Sequence, residues 1–150
     1  MATKSYKDKK RGAGRHVQLL EWVMQTEAWS TMPMGPRCLY VELKRRFTGS
    51  NNGEIKLSHR EAAALLCVSK NTIGGYFRHL EERGFIEMRQ APHLGPSGIG
   101  LTAHWLLTEC AGADMKPAKM TFAKWRSEKK APPRKRDTSY QPLGQSGAIA

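Results

Sequence analysis

Between Ser69 and Leu80 the chain carries Lys70, Asn71, Thr72 and Arg78 and no acidic residue. These side chains suit one kind of chemistry. An Asn amide offers a donor and an acceptor to a base edge, Lys and Arg donate to phosphate or guanine, and Thr reaches either. Ser69 in front of them, Gly75 among them and Arg60 upstream complete a candidate set of contacts to nucleic acid.

Other chemistries find little footing. His16, His59, His79, His93 and His104 are dispersed, and Cys38, Cys67 and Cys110 are too few and too scattered for a disulfide framework or a zinc site. The cysteines read as reduced thiols, chiefly packing residues, of a cytoplasmic protein. His79 lies near Glu82 and Arg83, which reads as a solvated group. No glycine-rich phosphate loop leads into Lys-Ser/Thr, and Ser97 sits in Pro-Ser-Gly without the flanks of a nucleophile elbow. The expectation is no enzyme, no catalytic residue, no metal, no cofactor and no evident small-molecule ligand. No apolar run is long enough for a membrane helix, and no apolar run follows the charged N-terminus as a secretory signal requires.

Charge separates the chain into three parts. The net formal charge is +12, made up of +5 in residues 1–15, +1 in residues 16–111 and +6 in residues 112–150. A nearly neutral middle between basic ends reads as a globule with arms. Such arms neutralise phosphates and release counterions without sequence preference, or else keep the ends solvated or draw them to anionic lipid. Lys9, Lys10 and Arg11 in the first arm, and Arg134, Lys135 and Arg136 in the second, are the candidate phosphate contacts. The division expected is a disordered basic arm over 1–14, one domain over 15–110 and a basic, mostly disordered tail over 111–150.

Elements that would position the candidate residues follow from periodicity. Val17, Leu20, Val23 and Met24, widened by Leu19 and Trp22, predict a helix over 15–28. Leu39, Tyr40, Leu43 and Phe47 form one stripe of a second helix, opened by Pro36, with Lys44, Arg45 and Arg46 mostly on its other side. Gly49–Gly53 is a turn cluster, and Ile55-Lys56-Leu57 alternates as a short strand. Two helices are predicted at 59–66 and 70–83, the second ended by Gly84 in the left-handed conformation. Residues 85–89 and 104–108 look like paired strands around a Gly/Pro-rich loop at 91–101.

Ser58-His59-Arg60-Glu61 reads as a capping box, with Ser58 and Glu61 satisfying each other's backbone amides. Ala62, Ala63, Leu65 and Leu66 then leave room for a crossing helix. Cys67-Val68-Ser69 breaks the chain, with Val68 as a plug and Ser69 as the next cap. Ile73, Tyr76, Phe77 and Leu80 form the next helix's buried side.

With small Ala63 and apolar Ala62, Leu66, Val68, Ile73 and Tyr76 in these places, the stretch resembles the helix-turn-helix of bacterial transcriptional regulators. Cys67 stands where the turn usually has glycine. Leu80-Glu81-Glu82-Arg83-Gly84-Phe85-Ile86 resembles the exit of the recognition helix in winged members, and the resemblance covers about residues 36–109. The stretch from Arg46 to Ala63 also loosely resembles small regulators of mobile elements and prophages. The fold class implied is mainly α with a small β-sheet, a winged helix-turn-helix with flexible basic tails. The implied partner is double-stranded DNA, with the recognition helix in the major groove.

Within this frame His93 and Ser97, with backbone amides, are the candidate contacts of a wing that has no Lys or Arg beyond Arg89. Gly74-Gly75 reads either as a bare surface for close approach or as a tolerated weakness in the helix. The apolar island Met120–Arg126 could dock on a partner, on the domain or on bases, or be a sticky stretch of tail. A homodimer through the wide apolar face of the first helix is expected. Two rival readings stay open: a replication or recombination accessory factor, and a protein-interaction adaptor.

Overall fold

The computed structural model describes residues 14–128. Within them the protein is a mixed α/β fold of five α-helices and a small antiparallel sheet. The helices are α1 (Glu21–Met24), α2 (Glu27–Ser30), α3 (Met34–Arg46), α4 (His59–Leu65) and α5 (Lys70–Glu82). The strands are β1 (Ile55–Lys56), β2 (Ile86–Gln90), β3 (His93–Leu94), β4 (Gly100–Leu101) and β5 (His104–Leu107). They form a three-stranded sheet in the order β1-β5-β2, while β3 and β4 pair separately as an outlying ribbon.

The predicted first helix is replaced by two single turns. Thr26 separates them because its side chain caps both: its Oγ1 donates to Val23 O at 2.7 Å and accepts from Trp29 N at 3.3 Å. Its extended backbone redirects the chain so that Val23, Ala28 and Trp29 all reach the core. The helix expected from Pro36 begins at Met34, with Pro36 still in the first turn, where a missing N–H has no partner to lose. Leu39, Tyr40 and Leu43 are its buried stripe, but Phe47, the fourth residue expected on it, follows the helix end in extended backbone and is half-buried.

Aromatic rings organise the core in two stacks. Phe77 of α5 lies parallel to Trp105 of β5 at 4.6 Å between centroids, and the His59 ring covers Phe77 at 4.6 Å. Trp105 is fully buried and its indole donates to Leu57 O at 3.0 Å, so β1, β5, α4 and α5 meet at one point. On the other side Trp29, Tyr40 and Phe85 pack edge to face, and Phe122 stacks on Phe85 at 4.7 Å.

Phe122 carries the main departure from the expected domain boundary. It is fully buried, in a 3-10 turn over Thr121–Lys124 that lies against the α5–β2 junction. Trp22 stacks on its other side, Trp125 lies over the Arg83 guanidinium at 4.3 Å, and Lys119 pairs with Glu87 at 2.7 Å. Among the described residues, the apolar island therefore docks on the domain itself. The wide apolar face around Trp22 is partly covered within the chain: Val23 enters the core and Trp22 meets Phe122, while Trp22 and Met24 stay 40 % and 38 % exposed.

Two polar clusters are buried where the sequence showed a turn and a solvated face. Asn52 accepts from Leu107 N at 2.7 Å and donates toward Leu107 O, Cys110 O and Ala111 O, tying the turn to the end of β5. Glu109 accepts from the Tyr40 hydroxyl and pairs with Lys44 at 2.9 Å, all three being largely shielded from water. Burial, reinforced by the negative charge of Glu109, keeps the Tyr40 phenol protonated well above the ordinary tyrosine range.

Candidate nucleic-acid interface

The corner between α4 and α5 sets the geometry of the site. Ser58 Oγ accepts from Glu61 N at 3.1 Å and starts α4. The reciprocal half of the capping box is not made: the Glu61 carboxylate accepts from Arg46 at 2.8 Å instead, linking α4 to α3. Ala62 and Ala63 are buried against α5, where larger side chains would hold the helices apart. Cys67 then adopts φ +54, the left-handed conformation that a glycine would take freely. Val68 N closes the turn on Ala63 O at 3.0 Å, and Ser69 caps α5 by accepting from Thr72 N at 3.2 Å.

Along α5 the spacing divides the residues into two faces. Ile73, Phe77 and Leu80 point into the core and are at most 2 % exposed. Asn71, Gly75, Arg78 and Glu82 recur at i, i+4, i+7 and i+11 on the opposite side, with Lys70 and Thr72 exposed at the start. Among the described residues, neither Lys70, Asn71, Arg78 nor Arg60 has a hydrogen-bond or ion-pair partner. Ser69 and Thr72 are partly engaged with each other through their hydroxyls at 2.8 Å. The stripe is therefore polar, basic in its first turns and free to bond outward. Glu82, which the sequence shows only as a solvated neighbour of His79 and part of the helix exit, puts an exposed carboxylate at the far end of this stripe. Burial raises the carboxyl of its neighbour Glu81 above the usual range, and Glu82 adds to that shift.

Arg83 fixes where α5 ends. Its guanidinium donates to Ala28 O and Thr31 Oγ1, both at 2.7 Å, which ties the helix C-terminus to α2. Midway along α5, Tyr76 lies directly on Gly35 of α3, where a Cβ would fall 2.1 Å from the ring. The helix is thus held at its start, middle and end.

Beyond β2 the chain runs out into the β3–β4 ribbon. Gly98 N donates to Gly95 O at 2.9 Å and Gly98 takes φ +72, so a tight turn carries Pro96 and Ser97 at the tip. His93 and Ser97 are exposed, as expected of contacts, and His93 lies within 3.1 Å of Ala91 O. The tip also exposes Leu94 and Ile99, at 76 % and 66 %. A mainly apolar cleft of about 440 Å³ separates the base of the ribbon from Ser58 and His59 of the α4 start.

The chain matches no family model, and comparison with curated proteins and with solved structures gives no match. Arg60, Lys70, Asn71, Thr72, Gly75 and Arg78 belong to the α4–α5 unit, with Ser69 as its internal cap, and His93 and Ser97 belong to the ribbon. Lys9, Lys10, Arg11, Arg134, Lys135 and Arg136 lie outside the described residues. Among the described residues no group of three or more His, Cys, Asp or Glu is placed to hold a metal ion, and no helix is long and apolar enough to cross a membrane.

Proposed function

We propose that this chain is a sequence-specific double-stranded DNA-binding protein of the winged helix-turn-helix type, acting as a transcriptional regulator. In this reading α5 is the recognition helix and enters the major groove, α4 crosses behind it, and the β3–β4 ribbon is the wing. The observation that carries it is the outward stripe of α5. Asn71 and Arg78, with Lys70 at the helix start, present unused hydrogen-bonding groups from a helix held rigidly on its other sides. Asn71 and Arg78 read base edges, Lys70 and Arg60 meet phosphate, and Ser69 and Thr72 set the helix start. The basic arms add affinity along the phosphates, because the part between them is close to neutral.

Selection of bound duplexes from a random-sequence library, followed by titration of the enriched duplex, tests this reading. A shared motif is expected, and Asn71→Ala should weaken binding to it by about 1–3 kcal/mol while sparing binding to random duplex. Absence of any enriched motif would defeat the specificity, and absence of any binding would defeat the whole reading. A map of the bound sites in a source genome then separates promoter control from action at an origin or attachment site. The exposed Leu94 and Ile99 favour a second use of the ribbon, as a protein contact, which fits an adaptor role.

A further inference from the structure

Gly74 and Gly75 occupy the second turn of α5, an interior where glycine weakens a helix relative to alanine. Two glycines that pack against other elements have an internal reason. Gly35 makes room for Tyr76, and Gly84 holds φ +77 against Thr121. Gly74 and Gly75 have neither reason. Their φ values are not positive, and a Cβ built on either one meets nothing within 4 Å. Within the protein, alanine would fit both positions and strengthen the helix.

The two positions differ in direction. Gly75 lies within the outward stripe of Asn71, Arg78 and Glu82, whereas Gly74 lies on its flank, about 70° from its centre. A second observation bears on the same stripe independently. One turn past Arg78 it ends in the exposed carboxylate of Glu82, with Glu81 beside it, and a phosphate backbone is repelled there. Approach of DNA is therefore favourable at the start of the stripe and unfavourable at its end.

We propose that α5 meets DNA only from Lys70 to Arg78, tilted N-terminus first, and that Gly75 is the point of closest approach, with bare helix backbone against the groove where a methyl group does not fit. This rests on the DNA-binding reading above. Lys70 to Arg78 then spans about 12 Å, so α5 reads about three to four base pairs. The stability lost by placing glycine at position 75 is a concession to the partner, and function and stability oppose each other at that residue.

The test uses the full chain and the duplex most enriched by selection, with thermal melting and fluorescence anisotropy on the same samples. Gly74→Ala and Gly75→Ala should both melt higher, by about 2–6 °C. Gly75→Ala should bind about tenfold more weakly, as overpacking at a close approach demands, whereas Gly74→Ala stays within about twofold of the parent. Glu82→Gln should bind about two- to threefold more tightly to enriched and random duplexes alike. A Gly75→Ala protein that binds as well as or better than the parent overturns the proposal, because the glycines would then merely soften the helix. Equal losses at positions 74 and 75 overturn the close approach at Gly75, and no gain from Glu82→Gln overturns the tilt. If the parent binds no duplex, the DNA-binding reading falls and this inference with it.

Discussion

Replacing Cys67 by glycine should stabilise the protein. Cys67 holds φ +54 in the turn between α4 and α5, a conformation that costs a residue with a Cβ about 1–2 kcal/mol. Its thiol is exposed, and its one polar neighbour is Ala64 O, a weak approach at 3.9 Å, so the side chain contributes little packing. Glycine relieves the strain but adds about 0.4–1 kcal/mol of freedom to the unfolded chain. The difference leaves a gain of about 0.5–1 kcal/mol, equivalent to a rise in melting temperature of about 2–4 °C for a protein of this size. Thermal melting and urea titration under reducing conditions measure it, the reductant removing any contribution from thiol oxidation. Cys67→Asn should fall between cysteine and glycine, since asparagine tolerates the left-handed region, and Cys67→Val should be the least stable. A glycine variant no more stable than the parent, or a valine variant as stable as the glycine one, would refute the strain argument.

Phe122→Ala should destabilise the protein by about 3–5 kcal/mol, measured by urea titration, because a fully buried ring leaves the stack on Phe85. Asn52→Ala should cost about 2–3 kcal/mol, since Leu107 N and the carbonyls gathered around the amide lose a buried partner. The Tyr40 phenol is raised above its unfolded value, so the stability it gives is fully present below about pH 10 and lost as the pH rises through the folded value. Stability measured from pH 8 to 11 should therefore fall at the alkaline end, and fall less steeply in Tyr40→Phe; parallel curves would refute the assignment. Removing residues 1–13 should lower the slope of log affinity against log salt by about 0.9 for each phosphate the arm no longer neutralises, an effect read by anisotropy at several salt concentrations.

The α4–α5 unit was legible because its determinants are local. Ser58 and Ser69 cap the residues that follow them at once, and Ile73, Phe77 and Leu80 show their spacing within one helix. Cys67 stands where the resemblance leads one to expect glycine, and its backbone is left-handed, a conformation that a glycine would take without strain. The features that escaped depend on distant partners. Phe122 looked like part of a tail because Trp22 and Phe85, the rings it joins, lie far away in sequence. Lys44 looked solvated until Glu109 closed over it, and Asn52 looked like an ordinary turn residue until the end of β5 gathered around its amide. Thr26 divided a helix that periodicity alone could not interrupt, because apolar spacing does not register a side chain that caps in both directions.

The docking of Phe122 also gives the chain an order of events during synthesis. Among the described residues, every other buried ring and aliphatic side chain of the core lies between Val23 and Leu107, so the ribosome delivers the closing residue last. At ordinary elongation rates the interval from Leu107 to Phe122 lasts roughly 1–3 s. Phe122 trails the rest of the core out of the ribosome by that interval, during which Phe85 and Trp22 lack the ring that stacks on both. The newly made protein thus passes through a brief period with an open aromatic socket, in which a chaperone or a neighbouring nascent chain competes with its own last segment.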